Sequence, residues 1–237
     1  MRGIAEASPR STARIAGLFE LLEAVTSGFG QVIVPRMLVV SGNAAATAAN
    51  IVTHAGLFHV SIVAGIIGAA CHIAWTLLFY ELFKPVNRTL SLLAAFFSIV
   101  AIALQAVSSV FQLGPLAVLE GGSSLSAFNQ EQLHALALTF FRFNADAFYI
   151  YLVFFGFWCV LIGFLIFKST FMPRVIGVLE ALAGMCWLTF LWPPFAHYVS
   201  PYNQVLAGLG ELSLMAWLLV VGVNAERWIE KANAAAK

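Results

Sequence analysis

Charged residues are scarce in this chain, and their scarcity excludes a water-soluble globule. Asp, Glu, Lys and Arg make up 10% of the 237 residues, whereas 61% of the residues are hydrophobic and mean hydropathy is +0.91. Soluble domains contain about 25% charged residues. The formal net charge is only +1, so the sequence lacks the basic field that a nucleic-acid partner requires.

Cysteine is rare too, and the three cysteines form no motif. Cys71, Cys159 and Cys186 each lie within an apolar run, and no two are spaced as C-x-x-C. An odd count without such spacing predicts neither a disulfide framework nor a zinc site. We interpret the three residues as small hydrophobic core residues.

Long apolar runs without charge are abundant. For example, no charged residue occurs between Arg36 and Glu81 or between Arg88 and Glu120. A helix satisfies all of its backbone polar groups within lipid, and the alternating pattern of a β-barrel is missing. The sequence therefore predicts an all-α fold, an integral membrane bundle of six transmembrane helices. The predicted spans are residues 15–34, 57–83, 90–113, 145–167, 175–191 and 204–223.

The predicted organisation is one membrane domain, residues 15–223, between an N-terminal tail, 1–14, and a C-terminal tail, 224–237. The first span contains Glu20 and Glu23, which are too polar for the core of a signal peptide, so we expect it to be retained as a helix. Residues 38–56 have helix-like spacing and are expected at the membrane surface. Residues 131–143 predict a helix that continues into the fourth span.

Basic residues are distributed unequally between the two sides of this topology. Ten of the twelve Lys and Arg residues lie in the two tails or in the loops after spans two and four, and only Arg36 and Arg142 lie on the other side. Cytoplasmic segments of membrane proteins carry the excess of Lys and Arg. The sequence therefore predicts that both termini are cytoplasmic.

Polar residues within the first three spans fall on one face of each helix. Small residues on such faces let helices approach one another, and Ser or Gln side chains bond across the interface. A polar, small-residue interior and a Phe-rich surface facing lipid are therefore predicted. The three polar faces consist of Glu20, Glu23, Ser27 and Gln31; of Ser61, Gly65, Gly68, His72 and Thr76; and of Ser98, Gln105, Ser109 and Gln112.

Ionisable residues inside the predicted spans are the candidate functional residues, because burying a charge in a membrane costs several kcal/mol. Asp146 follows Arg142 by four residues, so we expect these two to form an ion pair. The other acids have no Lys or Arg at their own depth. Each then either carries a proton, holds a cation, or is a neutral acid bonded to a carbonyl or an amide. The expected ligand or proton pathway comprises Glu20, Glu23, His72, Gln105, Asp146, Glu180 and Glu211, and the candidates for catalysis are Glu211, Glu23 and His72.

No cofactor or metal is predicted. The chain has no G-x-G-x-x-G, P-loop, H-E-x-x-H or G-x-S-x-G motif, so the usual cofactor and hydrolase signatures are missing. His72 is the one histidine deep inside a predicted span, because His59 lies near the outer loop at the end of the same span; this disfavours a zinc or haem centre. A metal site formed by His72, Glu23 and Glu211 is conceivable but disfavoured.

Short motifs spread along the chain resemble an uncharacterised bacterial membrane family, the domain of unknown function 4386. The resemblance implies a six-helix integral membrane protein of bacteria, hence of the inner membrane, and implies no activity. Glu211 lies in a matching motif, whereas Glu20 and Glu23 occupy positions where the family is expected to be apolar or aromatic. The motifs that carry the resemblance lie at residues 13–18, 45–51, 78–88, 153–156, 173–179 and 210–214.

Three functions are compatible with these observations. In the first, the bundle interior accepts a small apolar or cationic ligand or passes protons. In the second, the protein is a membrane-embedded enzyme that uses a protonated Glu as general acid, as in terpene cyclisation, with pocket walls drawn from the 21 Phe, 6 Trp and 5 Tyr residues. In the third, it is a structural subunit. Membrane lipids, and copies of this chain or a membrane complex, are the expected partners.

Overall fold

Helices form every regular element in the computed structural model, which describes residues 8–235 apart from the side chain of Ser124. Short π-helical and 3-10 segments connect some of the α-helices. The ten α-helices are α1 (Pro9–Ser27), α2 (Val34–Leu38), α3 (Ala44–Thr53), α4 (Ala55–Phe83), α5 (Arg88–Leu119), α6 (Gln130–Lys168), α7 (Arg174–Leu188), α8 (Pro193–Val199), α9 (Tyr202–Val220) and α10 (Ala225–Ala235).

Six helical segments in this part of the chain are long and apolar enough to cross a membrane. They contain between 18 and 39 residues, and about 20 suffice to cross the hydrocarbon layer. The prediction of an all-α bundle with six spans is therefore confirmed, while the side on which the termini lie stays a prediction. The segments are Pro9–Leu38, Ala55–Phe83, Arg88–Leu119, Gln130–Lys168, Arg174–Leu191 and Tyr202–Val220.

The ends of the helices differ from the predicted limits in ways that the local sequence explains. Helix α6 runs without a break for 39 residues, which confirms that residues 131–143 continue into the fourth span. Helix α9 ends at Val220 rather than at residue 223, because Gly222 adopts a φ of 75° and its N–H bonds back to the Trp217 carbonyl. Glycine adopts this left-handed conformation at little cost.

A π-helical segment, Gly28–Ile33, joins α1 to α2 within the first span. The amide of Val34 reaches the carbonyl of Phe29, five residues earlier, instead of the usual four. Pro35 follows and has no N–H for the carbonyl of Gln31, so the α-helical ladder cannot continue there unchanged. Such π-helical turns occur frequently at functional sites of proteins.

The chain contains two compact units, and several helices contribute to both. The first unit comprises Met1–Leu21, Cys71–Ile102 and Ile150–Lys237, and the second comprises Leu22–Ala70 and Ala103–Tyr149. Each polar or apolar cluster described below lies within one of them.

An apolar core holds the second unit together. The ring of Phe58 on α4 packs at 5.6 Å from the ring of Phe141 on α6, and Ile51 of α3 is fully buried in the same cluster. Helix α3 begins at Asn43, whose side chain accepts a bond from the Ala46 amide, a standard N-cap. The helix expected within residues 38–56 therefore forms, and one of its faces is buried rather than wholly at the surface.

Glycines hold the first unit together by bringing helix backbones into contact. A Cβ atom placed on Gly163 of α6 would lie 2.6 Å from the carbonyl oxygen of Gly177 on α7. A second contact of this kind joins Gly156 of α6 to Gly184 of α7. Small residues allow close approach between helices in membranes, so α6 and α7 form the tightly packed pair that positions the acidic residues of this unit.

Candidate functional site

Glu180 on α7 is the most deeply buried acid in the described part of the chain. Its side chain is 0% exposed, and neither carboxyl oxygen has a nitrogen or oxygen hydrogen-bond partner there. The polar group that interacts with it is the thiol of Cys159 on α6, which is also fully buried. A carboxyl group in this position has lost its hydration without gaining a basic partner.

Glu211 on α9 and Glu180 on α7 lie next to residues that form a close helix contact. A Cβ atom placed on Gly210 would lie 2.6 Å from the carbonyl oxygen of Leu179 and 2.7 Å from the Cβ of Ala183. The backbones of α7 and α9 therefore touch at Leu179 and Gly210, the residues that directly precede the two acids. The structure thus brings together two of the acids that the sequence singled out.

Trp187 of α7 gives Glu211 a partner that the sequence analysis did not identify. Its indole N–H donates a hydrogen bond to the Glu211 carboxyl group. A buried indole N–H usually finds such an acceptor. Glu211 therefore has a hydrogen-bond donor that is not a cation, whereas Glu180, 31 positions earlier in the chain, has only the thiol beside it.

His72 lies in an aromatic cluster of the first unit. Its ring stacks on Trp75 at a centroid distance of 4.2 Å, and the edges of Tyr151 and Phe155 approach it at about 6 Å. Its Nε2 atom lies 3.0 Å from the hydroxyl of Ser98. The surroundings of His72 are therefore rings and a hydroxyl group, which suits a histidine held in one orientation.

The remaining predicted site residues are dispersed. Glu20 is buried in the first unit, whereas Glu23 is half-buried and belongs to the second. Asp146 is exposed, and the ion pair that we expected with Arg142 is wrong: the ion pair found among residues 8–235 joins Lys84 to Glu81. Both side chains are exposed, where an ion pair contributes too little free energy to hold two side chains together.

A network of amide and hydroxyl side chains fills the interior of the second unit. Gln31, just beyond the π-helical glycines, donates to the hydroxyl of Ser109 over 3.1 Å. Its carbonyl oxygen accepts from Asn144 over 3.1 Å. Gln105 donates to Ser27 over 2.7 Å. The polar faces of the first and third spans thus bond to each other, as interhelical polar groups do in membranes.

The glycines of α4 make room for this network. A Cβ atom on Gly68 would lie 2.1 Å from the Ser27 hydroxyl, and one on Gly65 would lie 3.2 Å from the Gln31 amide nitrogen. The predicted polar face of the second span is buried along its length. The small residues of this face therefore leave space for the longer polar side chains of other helices, which pack against it.

Asn144 on α6 and Ser108 on α5 are network members that the sequence analysis did not identify. Asn144 is 4% exposed and its amide nitrogen donates to the Ser108 carbonyl over 2.8 Å. The sequence analysis considered the nearby charged residues Arg142 and Asp146 instead of Asn144. However, residues two apart on a helix point about 200° apart, so Asn144 and Asp146 could not both face inward.

No group of three His, Cys, Asp or Glu residues within the described ranges lies close enough to hold a metal ion. The metal site considered from the sequence, formed by His72, Glu23 and Glu211, is therefore not assembled. A groove of about 430 Å³ is found elsewhere, in the second unit. Its lining residues come from α3, the end of α5 and the start of α6, and include Ala48, Val52, Leu133 and His134.

Six apolar helices with a polar interior define a multi-pass membrane protein. Within that class, residues 15–222 match the model of the family described as Domain of unknown function (DUF4386). The match covers nearly the whole chain, so this protein belongs to that family, and the resemblance inferred from its motifs is confirmed. No curated protein and no solved structure matches the chain.

Proposed function

We propose that this protein is a bacterial inner-membrane protein that passes protons through the first unit, with Glu180 and Glu211 as the groups that bind and release them. The observation that carries the proposal is the position of Glu180, fully buried and without a nitrogen or oxygen partner in the described part. An ionised carboxylate there would lack both water and a counterion. The group is stable as a neutral acid, which is the form that can hand on a proton.

The second acid supports a relay rather than a single structural carboxyl group. Glu211 lies on the helix that touches the helix of Glu180, and the Trp187 indole donates to it. The two acids therefore lie on packed helices, and their surroundings differ: Glu211 has an indole N–H donor, whereas neither carboxyl oxygen of Glu180 has such a donor in the described part. Ionisable groups buried in membranes are typical of proton relays.

The other hypotheses from the sequence receive less support. In the aromatic cluster around His72, the rings of Trp75 and Trp158 pack at 4.6 Å and both side chains are 1% exposed. These rings contact one another, so they do not form the wall of an open pocket for a terpene. The small apolar ligand and the structural subunit have no specific contact in their favour.

Proton flux into liposomes tests the proposal. Protein reconstituted in vesicles that contain a pH-sensitive dye should dissipate an imposed pH gradient, and Glu180→Gln should abolish this activity while the protein remains folded. Glu226→Gln is the matched control, because Glu226 is exposed on α10 and outside the acid pair. Trp187→Phe removes the donor to Glu211 and should slow the flux, whereas Glu226→Gln should dissipate the gradient at the wild-type rate.

Two results would overturn the proposal. One is a wild-type rate equal to that of empty vesicles. The other is a Glu180→Gln variant that dissipates the gradient as fast as the wild type, since a glutamine cannot exchange a proton. Thermal unfolding of each variant in detergent shows whether a loss of flux comes from unfolding.

A further inference from the structure

Basic residues of the first unit gather at one end of its helices. The start of α1 meets the end of α9, where Arg10 Nε donates to the carbonyl of Val221 over 3.2 Å. Helix α10 meets the end of α4 through a 2.8 Å bond from the Trp228 indole to the carbonyl of Leu82. The same helix meets the α6–α7 loop, because Arg227 Nη1 donates to the carbonyl of Thr170 over 3.1 Å.

Some of these cations are already committed to partners in the protein. Arg10 and Arg14 bond to the last carbonyl groups of α9 and its extension, where a positive charge complements the helix dipole. Lys84 forms an ion pair with Glu81. The backbone contacts hold Arg10 and Arg14 at the end of α9 rather than at the loop between α6 and α7.

Lys168, Arg174 and Arg227 surround the loop between α6 and α7, and none of the three has a carboxylate at ion-pair distance among the residues described. Lys168 ends α6 and Arg174 begins α7, so they lie at the two sides of the loop that Arg227 bonds. The Lys168 ammonium lies 5.7 Å from the ring centre of Phe164 and the Arg174 guanidinium lies 5.4 Å from that of Phe167. We call Lys168, Arg174 and Arg227 the loop cations. All three are exposed.

The nearby acids do not neutralise the loop cations. Glu226 and Glu230 are exposed on α10, and no ion pair joins either to a basic residue of the described chain. Glu230 lies three residues after Arg227 and is its neighbour on the helix surface, but the two side chains are not at ion-pair distance. Arg227 instead bonds the loop between α6 and α7, at the Thr170 carbonyl.

We propose that the loop cations bind the phosphate group of an anionic phospholipid. Lys168 and Arg174 lie at the ends of two helices that are long and apolar enough to span a membrane, where lipid head groups are expected, and Arg227 bonds the loop between them. Guanidinium groups match phosphate oxygens in a two-pronged geometry. Helix α10 adds an apolar edge, since Ile229 is 48% exposed beside the anchored Trp228.

Lipid binding to the purified protein tests this inference. Native mass spectrometry should compare phosphatidylglycerol with phosphatidylcholine of the same acyl chains. Each cation near an anionic lipid surface contributes about fivefold to binding, so Arg174→Gln/Arg227→Gln should weaken phosphatidylglycerol binding roughly 25-fold. The matched control is Arg36→Gln/Arg142→Gln, which removes two exposed cations of the second unit and should change nothing. Added salt should weaken the wild-type preference.

Equal binding of the two lipids by the wild type would overturn the inference, as would unchanged phosphatidylglycerol binding by the loop variant. The inference would also be wrong if inorganic phosphate displaced bound phosphatidylglycerol as effectively as added phosphatidylglycerol does, because the site would then bind a free anion. If the double variant does not fold, Lys168→Gln replaces it. The Lys168 side chain makes no hydrogen bond in the described part, and its loss should weaken binding about fivefold.

Discussion

Replacing Gly163 by alanine tests the close contact between α6 and α7. The new methyl group would lie 2.6 Å from the Ala181 amide nitrogen and 2.6 Å from the Gly177 carbonyl oxygen. Ordinary contacts of a Cβ atom begin at 3.4 Å, so the helices must separate by roughly 0.8 Å. Both obstacles are backbone atoms, which cannot rotate away as the end of a side chain can.

The expected cost follows from two opposing effects. Overpacking costs about 1–3 kcal/mol, and the obstacles here place the change at the upper end of that range. Alanine favours a helix over glycine by about 1 kcal/mol. The net loss of stability is therefore about 2 kcal/mol, or about 4–8 °C in melting temperature for a chain of this length.

A thiol-reactive dye provides the assay, because Cys71 and Cys159 are buried and become reactive when the protein unfolds. Gly208→Ala is the matched control: a methyl group on Gly208 of α9 would meet nothing within 4 Å. Only the gain in helix preference applies there, so its melting temperature should stay constant or rise. The two substitutions should thus shift stability in opposite directions. If the Gly163→Ala and Gly208→Ala proteins had the same melting temperature, the close contact between α6 and α7 at Gly163 would be refuted.

Two further predictions concern the amide network and the topology. Asn144→Ala should destabilise the protein by about 1–3 kcal/mol, because the Gln31 and Ser108 oxygens to which Asn144 donates would lose a partner. Asn233→Ala, at an exposed position, is the control. Equal melting temperatures of the two variants would contradict the network. In a protein without native cysteines, single cysteines at the exposed positions Ser123 and Thr170 should react with an impermeant reagent from opposite sides of the membrane, and reaction from one side would exclude the predicted topology.

Charge spacing was sufficient to predict the six spans. A long run without Asp, Glu, Lys or Arg in a chain this apolar has one stable arrangement, a helix in lipid. The helical period was also sufficient to predict which face of the second span is buried, since Ser61, Gly65 and Gly68 recur at the spacing of one helix face and all three are buried.

Partners from distant parts of the chain could not be predicted in this way. The donor to Glu211 is Trp187, 24 residues earlier, and the pairing depends on how α7 and α9 pack rather than on any local pattern. The π-helical turn at Gly28–Ile33 was missed for a different reason. Pro35 marks a break in the α-helical ladder, but the predicted polar face applies one α-helical spacing from Glu20 to Gln31.

The bond between Arg14 and Val220 joins residues 206 positions apart, so the carboxyl end of α9 receives its cap from α1, the earliest of the spanning helices. During biogenesis, α1 must remain accessible until α9, the last of them, has been inserted. The contact between α1 and α9 therefore forms late, after the other spans are in place. A truncated product would leave the arginines of α1 without the carbonyl groups that they bind, and so would expose an incomplete bundle to proteolysis.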